Sequence, residues 1–259
     1  MKISYAILTH NEGLYIRNLL CLLVNNKRIE DEIVVVDDHS TDPLTLEILN
    51  DYKPSIRLYH REFDGDASSK NYLNSLCTGD YIVQIDSDEL FHPQFIQILP
   101  QLLEQNPNVD LYRVPRINTV ENLSLSKVRE WGWGISKLEN YQKEDTFNLH
   151  KNRELDEFEL LRANNLIIKT VYLDDGICEV KYYIPIINFA DYQDRIYRNH
   201  PDIKWEGLLH SKMVGCKTIA VLPSEEIYCL LHHKKLERQI SQNNLYSKIE
   251  QNGKTKYKI

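Results

Sequence analysis

Three acids, Asp86, Asp88 and Glu89, follow directly on an apolar run in the stretch Val83-Gln84-Ile85-Asp86-Ser87-Asp88-Glu89-Leu90-Phe91. Carboxylates this close repel one another, and each costs free energy to take out of water unless a positive charge sits among them. A divalent metal ion answers that cost. Asp86 and Asp88, two apart on an extended segment, can present oxygen ligands to a hard ion such as Mn2+ or Mg2+ and leave coordination positions for the oxygens of a bound molecule. The plainer reading is an acidic loop before a helix beginning near Pro93, with Asp88 or Glu89 favourable toward its N-terminus.

The elements that must position these acids are legible from periodicity. Ile3 to Leu8 reads as a strand, and Ile16, Leu19, Leu20 and Leu23 recur at helical spacing. Glu32 to Val36 is a β-branched run, Leu44 to Leu49 a short helix, Ser55 to Tyr59 a third strand, Ala67 to Leu76 a helix and Tyr81 to Ile85 a fourth strand. A helix with an apolar face of Phe95, Ile98, Leu99, Leu102 and Leu103 follows. Such alternation predicts an α/β fold with a mostly parallel sheet flanked by helices. Thr9-His10-Asn11-Glu12, Asp37-Asp38-His39-Ser40 and Asp86-Ser87-Asp88-Glu89 then all follow carboxyl ends of strands, the edge where open α/β sheets bind ligands. Neither Gly-x-Gly-x-x-Gly nor Gly-x-x-x-x-Gly-Lys-Ser/Thr is present, so a phosphorylated ligand would be neutralised by a metal rather than cradled by a glycine loop.

Composition narrows the classes. With 259 residues and 42% hydrophobic content the chain is long enough for one large domain. A net charge of -7, with clustered lysines only at Lys254, Lys256 and Lys258, argues against nucleic acid as a partner. Cys21, Cys77, Cys178, Cys216 and Cys229 are far apart and read as reduced thiols, which fits a cytoplasmic protein. The apolar run at the N-terminus is too short for a signal peptide, and no segment approaches membrane-spanning length. The second half is less regular: a charged amphipathic segment at Leu155, Phe158 and Leu161, strand-like runs at Leu166 to Tyr172 and Glu179 to Ile184, and a final helix over about Lys235 to Ile249. The expected organisation is one domain over 1–259, with a regular first part at 1–115, a less regular part at 116–233 and a terminal helix and tail at 234–259.

Ile7-Leu8-Thr9-His10-Asn11-Glu12, Ile33-Val34-Val35-Val36-Asp37-Asp38-His39-Ser40-Thr41-Asp42, Ala67-Ser68-Ser69-Lys70-Asn71 and Gly79-Asp80-Tyr81 through Glu89 resemble, in order and spacing, the family 2 glycosyltransferases. That resemblance implies the GT-A nucleotide-diphospho-sugar transferase fold with an irregular C-terminal acceptor region. Asp191-x-Gln193-x-Arg195 and Trp205-x-Gly207-x-x-His210 look like the second half of a subgroup that reads Glu after the histidine, where this chain has Ser211.

The resemblance implies an inverting transfer of a sugar, from a UDP-sugar by preference, to an unknown glycan, lipid or protein acceptor. Loss of the diphosphate builds negative charge that Mn2+ or Mg2+ answers, held by Asp88 and Asp86; His210 completes the metal shell or contacts the diphosphate, and His232 or His233 could do the same. Thr9, Asn11, Glu12, Asp37, Asp38, Lys70 and Asp86 map to the nucleotide cleft. Asp37 or Asp38 would accept from uracil N3–H; Asp38 to Pro43 is equally a helix start, and Asn11 equally a cap for the helix after it. Lys70 reads as a contact to base or phosphate, or as a solvated helical lysine. The base that takes the acceptor proton is Asp191 or Glu206, either of which can instead be a surface carboxylate or a partner of Arg195. Trp131 and Trp133 are an acceptor platform or core, and Gln193, Arg195 and Trp205 are further acceptor candidates. Two alternatives stay open: a sugar-phosphate nucleotidyltransferase, which would carry a Gly-rich, Arg-containing loop that is missing after the first strand, and a degenerate nucleotide-sugar-binding module, for which Ser211 speaks.

Overall fold

The computed structural model describes residues 1–136, 166–173, 176–183, 186–207 and 211–244. The chain alternates β1 (Ile3–Thr9), α1 (Leu14–Asn26), β2 (Glu32–Asp37), α2 (Pro43–Tyr52), β3 (Arg57–His60), α3 (Asp66–Leu76) and β4 (Tyr81–Asp86), each within a few residues of its expected place. Ile16, Leu19, Leu20 and Leu23 form the fully buried face of α1. Asp42 starts α2 by accepting the Thr45 N–H (2.8 Å), and Pro43 supplies the pre-set φ of a first turn. Ile33 to Asp37 is buried throughout, as a parallel strand covered on both faces requires. A short strand the pattern did not announce, β5 (Glu89–Phe91), precedes α4 (Pro93–Gln105), which buries Phe95, Ile96, Leu99 and Leu103; β6 (Leu111–Val114) follows.

Contacts divide the chain into two units, Met1–Arg116 with Ala190–His232, and Ile117–Phe189 with His233–Ile259. The first break falls after Arg116, and Ala190–His232 returns to the first unit. The middle of the chain carries β7 (Arg116–Glu121), α5 (Leu125–Glu130), β8 (Ile135–Ser136), the antiparallel pair β9 (Leu166–Leu173) and β10 (Gly176–Tyr183), and β11 (Ile186–Ile187). Here β11 pairs antiparallel with both β7 and β8, and Val120, Leu123, Val128 and Ile187 make a small core. The chain continues through β12 (Gln193–Arg198), β13 (Lys204–Glu206), β14 (Lys212–Val214), β15 (Ile219–Val221) and β16 (Leu230–Lys235) into helical residues 236–244. The expected segment at Leu155, Phe158 and Leu161 and the last part of the terminal helix lie outside the described residues. None of the described helices is long and apolar enough to cross a membrane.

The first unit is built on a seven-stranded sheet of order β15-β6-β12-β4-β1-β2-β3. β1 to β4 run parallel, while β12 enters antiparallel between β4 and β6, with Ile196 opposite Val83 and Tyr197 opposite Leu111. Because β12 runs against β4, its first residues fall at the carboxyl end of β4. That placement brings the Asp191–Arg195 segment to the acids the sequence singled out.

Cys21, Cys77, Cys216 and Cys229 are free thiols, and burial pushes Cys77 and Cys229 up to about 12, so neither is a nucleophile at neutral pH. At the opposite, amino end of the sheet, Glu32 accepts from Ser4 Oγ (2.6 Å), Thr78 N (2.6 Å) and Arg57 Nη1 (2.8 Å). Burial opposes its charge, but these donors outweigh it and lower its pKa from 4.5 to about 2. A depressed folded value stabilises the protein above the unfolded value, and that contribution is lost as pH falls from about 4.5 toward about 2. Glu32→Gln is therefore expected to destabilise by about 2 kcal/mol at pH 7. Urea denaturation at pH 7 and pH 3.5 checks it: the gap to wild type should narrow at the lower pH, and a constant gap contradicts the assignment.

Candidate active site

Parallel register sets Thr9, Asp37 and His60 side by side and places Asp86 beside Leu8, so four strand ends share one edge. Asp37 is 1% exposed, and both its oxygens are engaged: Ser40 Oγ donates to Oδ1 (2.5 Å) and His60 Nδ1 to Oδ2 (3.1 Å). Asp38 donates its backbone N–H to the Thr9 carbonyl (2.9 Å), and among the described residues nothing binds its carboxylate. Thr9 is buried at the same edge, and Glu12 is half-buried in the loop beyond it. Asn11 does not cap α1. With φ at 54°, it accepts the Thr41 and Asp42 N–H groups (2.7 and 2.8 Å) and so ties the loop after β1 to the start of α2.

At the end of β4 the acids are compensated by the protein itself. Glu89, with a fully buried side chain, accepts from Arg195 Nη2 (2.7 Å) and Arg116 Nη1 (2.8 Å). Arg195 Nη2 also reaches Asp86 Oδ2 (2.5 Å), while Arg116 donates from Nε (3.0 Å) and Nη2 (2.6 Å) to Asp191 Oδ2. Gln193 Nε2 donates to the other Asp191 oxygen (2.7 Å). The result is a ladder of alternating charge: Asp191, Arg116, Glu89, Arg195, Asp86. Burial opposes ionisation of Asp86, but Arg195 and then Lys70 outweigh it and hold the carboxyl below its ordinary value. Burial likewise disfavours the charge on Arg195, and Asp86 and Glu89 overcome it. The sequence looked to a metal to make these acids tolerable; arginines already neutralise Glu89, and Arg195 meets one oxygen of Asp86. Arg195, expected as an acceptor contact or a partner of Asp191 or Glu206, is instead 3% exposed and bonded to those two acids.

Asp88 stands apart from the ladder, with its Oδ2 3.4 Å from His232 Nε2 on β16. Among the described residues no three His, Cys, Asp or Glu side chains gather to hold a metal ion. Asp88 and His232 nonetheless offer a carboxylate oxygen and an imidazole nitrogen at a spacing two ligands of one ion can share, a donor set that suits Mn2+ when a bound molecule completes the shell. His210 lies outside the described residues. His233 belongs to the second unit, where it contacts Thr119 Oγ1 (2.9 Å) and Glu121 (3.5 Å).

Lys70 is neither solvated nor free: it bonds Asp66 (3.0 Å) and Ser211 Oγ (3.0 Å), and lies 4.4 Å from the centre of the Trp205 ring. Ser211 in turn donates its hydroxyl to Asp66. Trp205, read as an acceptor contact, is 4% exposed, packs edge-on against Tyr197 and exchanges backbone hydrogen bonds with the Asn71 side chain. Glu206 is 56% exposed and paired with Lys204 (3.1 Å). Trp131 and Trp133, with ring centres 4.8 Å apart and planes tilted by 59°, pack half-buried on the small core of the second unit, so packing accounts for part of their surface. Sequence reasoning gave no role to Arg116, Asp66 or His60, nor to Glu89 beyond its place among the acids. No local pattern marks Arg116: the apolar residues after it, Ile117 and Val120, are three apart, which is not the period of a strand.

A sheet of this order, with acids at the carboxyl ends of parallel strands and an antiparallel strand feeding charged residues to the same edge, is the GT-A type of nucleotide-diphospho-sugar transferase. The chain belongs to Glycosyl transferase family 2, whose profile matches residues 4–157. An uncharacterised glycosyltransferase of Mycoplasma pneumoniae is 34% identical over 113 residues, covering 40% of this chain and 38% of that one. The poly(ribitol-phosphate) β-N-acetylglucosaminyltransferase TarS of Staphylococcus aureus is 28% identical over 125 residues, 46% of this chain and 22% of TarS. The crystal structure of TarS residues 1–349 in complex with UDP-GlcNAc has the same fold, with a TM-score of 0.53 and 20% identity over 90% of this chain and 59% of that one. The chain therefore matches less than two thirds of the length of each of these relatives.

Proposed function

We propose that this chain transfers a sugar, with inversion, from a nucleotide-diphosphate donor to a hydroxyl acceptor, and that the donor is a uridine diphosphate sugar. The observation that carries the reading is the gathering of Asp38, Asp86, Asp88 and Asp191 around one edge of the sheet, with arginines compensating some acids and leaving Asp88 beside a histidine. TarS, which shares the fold, is seen with UDP-GlcNAc, and this supports the choice of donor.

The residues then take distinct parts. Asp38 is the better reader of uracil N3–H, because the oxygens of Asp37 are already spent on Ser40 and His60. Thr9, Asn11 and Glu12 shape the same nucleotide cleft. Lys70, held against Trp205, lends positive charge near Asp86. Asp88, with Asp86, His232 and His210 as further donors, would hold Mn2+ or Mg2+, which supplies positive charge to the diphosphate as it departs. Asp191 accepts the proton of the attacking hydroxyl, with Glu206 as the alternative. Gln193 orients Asp191, and Trp131 and Trp133 remain the aromatic candidates for acceptor contact.

Thermal shift tests the nucleotide and metal together. UDP with Mn2+ should stabilise the protein, by about 2.7 kcal/mol at one hundred times its dissociation constant, and matched GDP should do less. Asp88→Asn should fold normally and lose the shift. A larger shift with GDP reverses the donor assignment, and an undiminished shift in Asp88→Asn removes the metal role of that residue.

A further inference from the structure

We propose that Arg116 is the positioning residue of the general base, an inference that rests on the transfer reading above. The guanidinium is fixed at one end by Nη1 on Glu89 (2.8 Å), a fully buried carboxylate itself held by Arg195 (2.7 Å). Its other edge, Nε and Nη2, closes on a single oxygen of Asp191, Oδ2, at 3.0 and 2.6 Å. Asp191 lies just before β12 begins, so the strand ladder does not fix it. A carboxylate in that position rotates unless side chains hold it; Arg116 pins Oδ2, and with that oxygen held, the Gln193 contact on Oδ1 sets the plane of the group.

The orientation leaves chemistry to Oδ1. Oδ2 takes two N–H groups from Arg116, so the proton is assigned to Oδ1, which Gln193 Nε2 also contacts (2.7 Å). In the step this serves, the hydroxyl proton passes to Asp191 Oδ1, the hydroxyl oxygen forms the new bond to the anomeric carbon, and the nucleoside diphosphate leaves with the electron pair of the old one. Arg116 touches none of the reacting atoms. Its contribution is alignment, and lysine is no substitute because an ammonium is a point charge without the planar fork that spans Glu89 and Asp191 together.

A double-mutant cycle tests the assignment. Arg116→Lys should lower kcat by about 10-fold to 100-fold, with donor KM and the UDP thermal shift unchanged, since misplacing a catalytic group by about 1 Å costs on that order. In an Asp191→Asn background the same substitution should cost nothing further, because the group it positions is already disabled. Equal losses in both backgrounds, or wild-type kcat in Arg116→Lys, overturn the positioning role while leaving transfer intact. Should Arg116→Lys fail to fold, the pair Glu89→Gln with Arg116→Gln removes both buried charges together, and the same kcat loss and the same silence in Asp191→Asn are expected of it. No turnover by the wild-type chain with any uridine or guanosine diphosphate sugar overturns the transfer reading, and this inference with it.

Discussion

Asp191→Asn is expected to lower sugar transfer by roughly 10²-fold to 10⁴-fold while leaving nucleotide affinity close to wild type, the range over which general-base assistance acts. The substitution keeps the shape and one oxygen for Arg116, and its new amide N–H meets Gln193, whose own amide can turn to accept it, but the negative charge that accepts a proton is gone. Binding should survive because the nucleotide edge, at Thr9, Asp38 and Asp86, is formed by other strand ends. The matched control is Glu206→Gln. Glu206 is solvent-exposed and paired with Lys204, so its loss should leave transfer near wild type. Steady-state kinetics with the donor, beside calorimetry with UDP and Mn2+, separate the two. Collapse of transfer in Glu206→Gln with normal rates in Asp191→Asn would exchange their roles.

The second large effect is on stability. Glu89→Gln takes the one carboxylate out from between Arg116 and Arg195, whose guanidiniums it meets at 2.8 and 2.7 Å with a fully buried side chain. Breaking a buried ion pair by neutralising one partner costs about 3–5 kcal/mol, because the surviving charges stay buried with less to balance them. Asp86 and Asp191 remain as partners at the two ends of the ladder, but neither bridges both arginines. That loss is a large share of the 5–15 kcal/mol by which domains are typically stable. Chemical denaturation measures it, with Glu104→Gln as the control: Glu104 is 55% exposed and reaches Arg28 only at 4.0 Å, so its removal should be nearly silent. A Glu89→Gln midpoint equal to wild type would falsify the view that this ladder holds the sheet edge together.

The sequence by itself determined the alternation of strand and helix through β4, because each element buries a face whose period is written within about ten consecutive residues. Ile16, Leu19, Leu20 and Leu23 show the helix, and Ile33 to Val36 the buried parallel strand, with no knowledge of their neighbours. Alternation also fixes which strand ends share an edge, so Thr9, Asp37, Asp38 and Asp86 were legible as lying along one edge of the sheet. Tertiary structure alone decided what compensates the acids. Arg116 and Arg195 lie 27 and 106 residues from Glu89, and Ser211 is 145 from its partner Asp66. No local period encodes such pairs. The Arg195 pairs exist because β12 enters antiparallel between β4 and β6, and in general a charge can be neutralised by any opposite charge that the tertiary fold carries within reach.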